Sequence, residues 1–447
     1  MIRRFVLGLA AALLAACASL DMGEAPPPVI FVHGNGDTAG LWITALWRFE
    51  SNGYPRDRLF ALDAPHPLAR VDDAKPQEGR TGTGEHMALL AAEVERVRQL
   101  TGARKVALVG NSRGGNAIRN YIRNGGGAAT VSHAILGGTP NHGVWTSTEY
   151  QPGSEFNGAG PFLRALNSPQ GPEGLEVTPG VKFMTVRSDH LDKFTQPEGN
   201  WIGQPKMKTG TTHDGPALKG AENVVLPGRD HRETSFDPEA FAVAYRFITG
   251  RPASTHIIPD SSPILNGKIT GFRGNDQTNL PLAGAALDIY EVSPQTGERL
   301  GVPVYSKGIG EDGVWGPFAA RPNAYYEFVI GAEAFATTHI YRSPFPRSSS
   351  IVHMRPVRLA EADKAPGSLV TMSRPRGYFG VGRDRMSLDG ISPPPGLAPG
   401  VPGLSVSRVR LTEGEPRTVV AEFNGERIAV RNWPTQENHA VIAEFHY

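Results

Sequence analysis

Ser112 stands at the centre of Gly110-Asn111-Ser112-Arg113-Gly114, directly after the expected strand 105–109 and directly before a helical stretch that begins near Gly114. A serine in so sharp a strand-to-helix turn has its hydroxyl lifted to the edge of a sheet, and small residues at 110 and 114 relieve the crowding of the turn. The chemistry this suits is acyl transfer. It needs a base to take the serine proton, an acid to orient that base, and donors for the oxyanion. The sequence carries candidates for each. His33-Gly34-Asn35-Gly36-Asp37 closes the apolar run 29–32, and the backbone N–H groups of Asn35 and Arg113 are the expected oxyanion donors. Two aspartates, Asp189 and Asp192, follow the apolar run 182–186. For the base, His231 follows the run 224–226, while His213 lies in a Thr- and Gly-rich loop before it. His33 is read as structural at the oxyanion loop.

Metal and nucleotide chemistry find no such pattern. No two histidines stand at ligand spacing on one helix, and Gly34-x-Gly36 lacks the third glycine of a dinucleotide fingerprint. No cofactor and no metal are expected. A net charge of +1 with 20% charged residues gives no electrostatic case for nucleic acid.

The elements that must position these residues are legible over 24–251. Short continuous apolar runs at 29–32, 59–62, 106–109, 134–136, 182–186 and 224–226 alternate with helical segments. The helix expected over 84–100 carries Met87, Leu90, Val94, Val97 and Leu100 on one face. Asp237-Pro238 reads as N-cap and first helical residue of a closing helix through Ile248, with Gly250 after it. Strands without in/out alternation, separated by helices, predict a mostly parallel sheet covered on both faces. Residues 141–180 show no strong period and are read in part as a lid or pocket wall. Trp42, Trp47, Trp145 and Trp201 are either acyl-binding aromatics at the rim or ordinary core.

With 447 residues the chain is expected to hold two or three domains. Residues 252–263 form a linker rich in Pro, Ser and Thr. Beyond it, short strand-like runs at 267–271, 286–290 and 325–330, separated by Gly, Pro and Asn, predict an all-β sandwich. Pro281-Leu282-Ala283-Gly284-Ala285 and Glu311-Asp312-Gly313-Val314-Trp315 make 264–358 resemble the transthyretin-like or carboxypeptidase-regulatory-like β-domains appended to secreted bacterial enzymes. Residues 359–447, with strands near 405–411, 418–423 and 440–445, are read as a second β unit of unknown role.

The chain starts with Arg3-Arg4, an apolar run over 5–16 too short to span a bilayer, and Leu14-Ala15-Ala16-Cys17. That ending resembles a bacterial lipobox, which implies a signal peptide over 1–17 and lipidation of Cys17, the single cysteine. Ala18 after it resembles lipoproteins of the outer membrane. The expected location is extracytoplasmic and lipid-anchored, the alternative being secreted or periplasmic.

Residues 29–37 and 105–122, Leu136-Gly137-Gly138-Thr139-Pro140, and Gly160-Pro161-Phe162-Leu163-Arg164-Ala165-Leu166-Asn167 resemble the small secreted bacterial lipases and esterases of the class 2 triacylglycerol-lipase group. The resemblance implies an α/β-hydrolase fold with Ser112, Asp192 and His231 as triad, in the chain order of that superfamily. Asp192 takes precedence over Asp189 because Lys193-Phe194-Thr195-Gln196-Pro197 after it resembles the family's run after the acid. Asn111 and Arg113 depart from the histidine and methionine common in the family, and Arg113 is expected to make the pocket floor more polar. The implied activity is hydrolysis of carboxylic esters of lipids, aryl alcohols or polyesters through an acyl-enzyme. The alternatives are a polyester depolymerase whose β-domains grip polymer or a cell surface, and an adhesion or scaffold lipoprotein with an inactive hydrolase domain.

Overall fold

The computed structural model describes residues 25–365, 367–412 and 416–447, so the signal segment and Cys17 lie outside the described residues. Six strands form the first sheet: β1 (Val29–Val32), β2 (Leu59–Leu62), β3 (Val106–Asn111), β4 (Val131–Gly137), β5 (Lys182–Arg187) and β6 (Glu222–Val225). All pair in parallel, in the order β2-β1-β3-β4-β5-β6. β1 and residues 106–109 of β3 are apolar throughout because both of their faces are covered. One face is packed by α1 (Ile43–Ser51) and the closing helix, the other by α2 (Thr83–Thr101) and α3 (Arg113–Asn124). The strand order reverses between β1 and β3, and ligands in such sheets gather where strand carboxyl ends meet this switch point. Ser112 follows β3 and His33 follows β1, so both stand there.

The helices obey their local signals. The Glu85 carboxylate accepts the Gly82 N–H at 2.7 Å at the start of α2, and Gly102 ends the helix at φ 68°. Leu90, Val94 and Val97 are buried, whereas Leu100 is 66% exposed, against expectation. Ten residues past Leu90 the helix has turned about 80° off its apolar stripe, which carries Leu100 into solvent. After a four-residue α4 (Gly127–Thr130), residues 141–180 hold only α5 (Pro161–Leu166) and are otherwise irregular. The chain then passes α6 (Glu233–Phe236) and the closing α7 (Pro238–Thr249). Asp237 caps α7 by accepting the Ala240 N–H at 2.6 Å, with Pro238 in its first turn and Gly250 left-handed after it. Among the described residues no helix is long and apolar enough to cross a membrane.

The β-rich remainder is organised around one seven-stranded sheet. In chain order its strands are β7 (Ala286–Val292), β8 (Tyr305–Gly308), β9 (Tyr325–Gly331), β10 (Thr337–Arg342), β11 (Ser368–Ser373), β12 (Val406–Leu411) and β13 (His439–Glu444). In space the order is β8-β7-β9-β10-β13-β11-β12, and β13 pairs in parallel with both β10 and β11. The stretches 264–358 and 359–447, separable by composition, therefore share a sheet. Its two faces have different employment. Leu287, Ile289, Phe328 and Ile340 join Trp42, Trp47, Phe49 and Phe241 of the first domain in one continuous core. Tyr341, Val370, Met372 and Val441 pack on the opposite side against Val419, Phe423 and Ile428 of a small three-stranded sheet. The linker is fastened too, since Arg48 Nε donates to Thr255 O at 3.2 Å.

Candidate active site

Ser112 is the one residue between β3 and α3, and it sits at φ 52°, ψ −121°. Left-handed backbone at a non-glycine residue is strained, and such strain persists only where the surroundings dictate it. Here the Ser112 N–H donates to Gly137 O at 2.9 Å, while the Gly115 N–H donates to Ser112 O at 3.0 Å. The turn is possible because α3 runs directly over β1: a Cβ at Gly114 would lie 2.4 Å from the Val32 carbonyl oxygen.

The loop after β1 abuts the serine. A Cβ at Gly34 would come within 3.2 Å of the Ser112 Cβ and 2.9 Å of Asn111 Oδ1, so a larger residue there would have to displace Asn111. His33 is buried and holds this loop, its Nδ1 2.9 Å from Gly34 O and its Nε2 accepting the Ala64 N–H at 3.1 Å. Asn35 Oδ1 accepts the Ala69 N–H at 2.7 Å, which fixes the peptide whose N–H was expected to face an oxyanion. Among the described residues, neither the Asn35 nor the Arg113 backbone N–H is engaged by a carbonyl.

His231 and Asp192 meet in the interior. His231 Nδ1 lies 3.0 and 2.9 Å from the two Asp192 oxygens, and both side chains are buried. The Phe194 N–H donates to Asp192 Oδ1 at 2.8 Å, and the Phe194 ring stands edge-on to the imidazole at 4.6 Å. His231 Nε2 is buried and bonds to no protein group. Both the histidine and the serine rest against the end of β4: a Cβ at Gly138 would lie 3.3 Å from His231 Nδ1, and Gly137 O is the acceptor for Ser112. Asn111 Nδ2, from the residue before Ser112, donates to Ser235 Oγ at 2.7 Å and reaches His231 O at 3.5 Å. Asp189 lies elsewhere. Its oxygens accept the Leu191 and Gly228 N–H groups at 3.0 and 2.9 Å, tying the loops after β5 and β6 together. Burial would raise its carboxyl, but those donors outweigh burial and hold it below the ordinary range. His213 is exposed at the rim, with His190 as ring neighbour.

A cavity of about 270 Å³ opens beside His231 and Asp192, lined among others by Thr139, Thr185, Arg187, Thr212 and Leu218. Its walls mix apolar carbon with hydroxyl and guanidinium groups; Ser112 is not among the residues that line it.

Residues 26–149 match the lipase (class 2) family. Residues 263–359 match the lipase C-terminal domain. Over these two stretches the chain is lipase-like. Among solved structures it is similar to the mature form of Bacillus licheniformis lipase BlEst2, with 19% identity over 51% of this chain and 94% of that one and a TM-score of 0.35. The propeptide form of that lipase is similar over 92% of this chain and 94% of its own, with 16% identity and a TM-score of 0.37. Aspergillus fumigatus lipase B shares 18% identity over 52% of this chain, with a TM-score of 0.35, and this chain spans 54% of its length.

One feature of the lipase-like half differs from expectation. Arg113 does not contribute to a pocket floor: its side chain is 1% exposed and turns away from the cavity. Its Nε and Nη2 grip the Glu155 carboxylate at 2.6 and 3.0 Å, and the remaining donors reach Pro67 O, Thr81 Oγ1 and Thr81 O. The guanidinium thereby ties α3 to the 141–180 insertion. Of the four tryptophans, Trp42, Trp47 and Trp145 are buried core residues, and Trp201 packs against Gly403.

Sequence reasoning missed what stands around His231. Asp230 is fully buried and accepts the Arg232 and Glu233 N–H groups at 2.9 and 3.0 Å, while Glu233 Oε2 accepts the Asp230 N–H at 2.7 Å. This is a reciprocal cap of α6, and the spacing Asp230-x-x-Glu233 was its visible signal. Invisible in sequence were its partners from the β region, Arg374, Arg383 and the Tyr378 N–H. Burial and the neighbouring Glu233 raise the Asp230 carboxyl against the pull of those two cations.

Proposed function

We propose that the chain is a serine carboxylic-ester hydrolase. The observation that carries the reading is the buried Asp192–His231 pair, its imidazole Nε2 bonded to no protein group, packed against the same end of β4 as the strained turn at Ser112. Ser112 Oγ attacks the ester carbonyl as His231 Nε2 takes its proton. Asp192 accepts the Nδ1–H and stabilises the imidazolium. The Asn35 and Arg113 amides hold the oxyanion, each such donor being worth about 3–4 kcal/mol in the transition state. His231 then gives its proton to the departing alcohol, leaving an ester on Ser112. Water, deprotonated by His231, attacks that ester; His231 returns the proton to Ser112 Oγ as it departs, and the acid is released. These steps call for no cofactor.

The polar groups around His231 and Asp192 favour short acyl groups over long chains. Turnover of p-nitrophenyl acetate and butyrate, compared with emulsified triglyceride and a polyester film, checks this. Soluble short esters are expected to react fastest; release of monomers from the film at a comparable rate would point to polymer contact through the β region instead. Ser112→Ala is expected to abolish both turnover and labelling by a fluorophosphonate probe, and a variant that still turns over ester would falsify the reading. Asp192→Asn should lower kcat by about 10³–10⁴-fold, while Asp189→Asn leaves it near wild type.

The same reading takes the enzyme outside the cytoplasm, anchored by acyl chains on Cys17, and Leu14-Ala15-Ala16-Cys17 supports it. Cys17→Ser is expected to release the mature protein from the membrane fraction; unchanged partition speaks against the anchor.

A further inference from the structure

The loop that carries His231 is completed by residues some 140 positions away. Arg374, immediately after β11, lies 5% exposed with its guanidinium between two carboxylates that flank the histidine. Nη1 donates to Asp230 Oδ2 at 3.1 Å and Nη2 to Glu233 Oε1 at 2.6 Å. Its other bonds anchor it in the β region: Nη1 also donates to Tyr378 O at 2.8 Å, Nε donates to Tyr447 O at 3.0 Å, and the Phe423 ring lies 4.5 Å below. Arg383 Nη1 donates to the second Glu233 oxygen at 2.8 Å, and the Tyr378 N–H to Asp230 Oδ2 at 2.6 Å. One residue past His231, Arg232 pairs with Asp37 of the loop after β1 at 2.5 Å and donates to Pro375 O at 3.0 Å.

Buried carboxylates of like charge repel one another unless cations are set between them. Asp230 and Glu233 are such a pair, joined by the cap of α6 and by the guanidinium they share. The backbone on both sides of His231 thus has its position set by fixed charges of the β region as well as by its own domain. A displacement of 1 Å at a catalytic base costs on the order of 100-fold in rate.

We propose that Arg374, assisted by Arg383, is a positioning residue for His231, so that the β region is a required part of the hydrolytic site. This rests on the proposed role of His231 as the base. Arg374 touches no substrate. It acts through Asp230 and Glu233 on the direction of the imidazole, so its loss affects the chemical step and leaves ester binding in the cavity intact.

The test uses the full chain with Arg374→Met, Arg374→Lys, Arg383→Met, Ser112→Ala and, as control, Arg299→Met. Arg299 bonds the buried Glu327 at 2.6 Å within the same β region, with neither residue at the catalytic loops. Initial rates on p-nitrophenyl butyrate are measured below each variant's thermal midpoint. Arg374→Met is expected to lower kcat by about 30–100-fold with KM changed less than about twofold, and Arg374→Lys to recover part of that loss. Arg299→Met should lower the thermal midpoint and keep kcat. If Arg374→Met is not recovered folded, Arg383→Met, which removes one of the two cations on Glu233, should lower kcat about fivefold. A folded Arg374→Met with kcat within about twofold of wild type overturns the proposal, as does an equal loss of kcat in Arg299→Met. When Arg374→Met has not been recovered, an unchanged kcat in Arg383→Met does the same. Should Ser112→Ala retain turnover, the reading of the site falls and this proposal with it. Inactive Ser112→Ala beside fully active Arg374→Met removes the positioning role alone.

Discussion

Arg113 illustrates how far a residue type can be read and where the reading stops. Its backbone N–H is proposed as an oxyanion donor because it follows a serine in a strand-to-helix turn. The direction of its side chain was not, since the first residue of a helix points wherever neighbouring loops leave room. Glu155 and Thr81, about 40 and 30 residues away in the chain, decide it. Removing one charge of a buried pair costs about 3–5 kcal/mol, because the other charge is left uncompensated. Glu155→Gln is therefore expected to lower the urea midpoint strongly, with Glu155→Gln/Arg113→Met less damaged than Glu155→Gln alone. The choice between Asp189 and Asp192 shows the same limit. Both follow one strand within five residues, and only the fold determines which carboxylate meets an imidazole and which meets backbone N–H groups.

At the level of elements the hydrolase half was readable because buried parallel strands leave unbroken apolar runs. Every strand of its sheet lies within two or three residues of expectation, and the closing helix begins at the Asp237-Pro238 signal. The failures arise at ends, where packing stops, as at Leu100. The approach of α3 to the sheet was legible only as a pair of glycines. Its demand is sharper than relief of crowding, for Gly115 adds a third: a Cβ there would lie 1.9 Å from Thr139 Oγ1. Gly114→Ala, set against a strand carbonyl that cannot move aside, is expected to cost more stability than Gly115→Ala, whose neighbour is a side chain. Thermal midpoints of the two variants check the order, and Thr139→Ala should rescue only the second.

For the molecule as a whole, composition announced an all-β half but not its sheet, because pairing between strands 70–100 residues apart leaves no periodic trace. The core shared by both halves also has consequences for acid stability. Burial pulls His353 down to about 4 despite the Asp63 carboxylate nearby, and burial beside Lys182 brings His133 to about 4. Unfolded histidine titrates near 6.5, so between pH 6.5 and 4 the unfolded chain takes up protons that the folded one refuses. Stability is then lost as pH falls through that window. His353→Asn, which keeps an acceptor for the Lys268 N–H, is expected to flatten the fall of the urea midpoint between pH 6.5 and 4; an unchanged slope refutes the assignment. The position of β13 bears on biosynthesis. Its two neighbours, β10 and β11, emerge from the ribosome first and face each other across a gap the width of one strand. Arg376, beyond β11, donates to the carbonyls of Phe445 and His446, so this seam too closes only after residues 439–447 have been made. The hydrolase sheet, translated some 200 residues earlier, is by then long assembled. A nascent chain consequently carries Ser112 before the last supports of the His231 loop exist, and on the proposed reading gains a fully braced site only once the β half has been made.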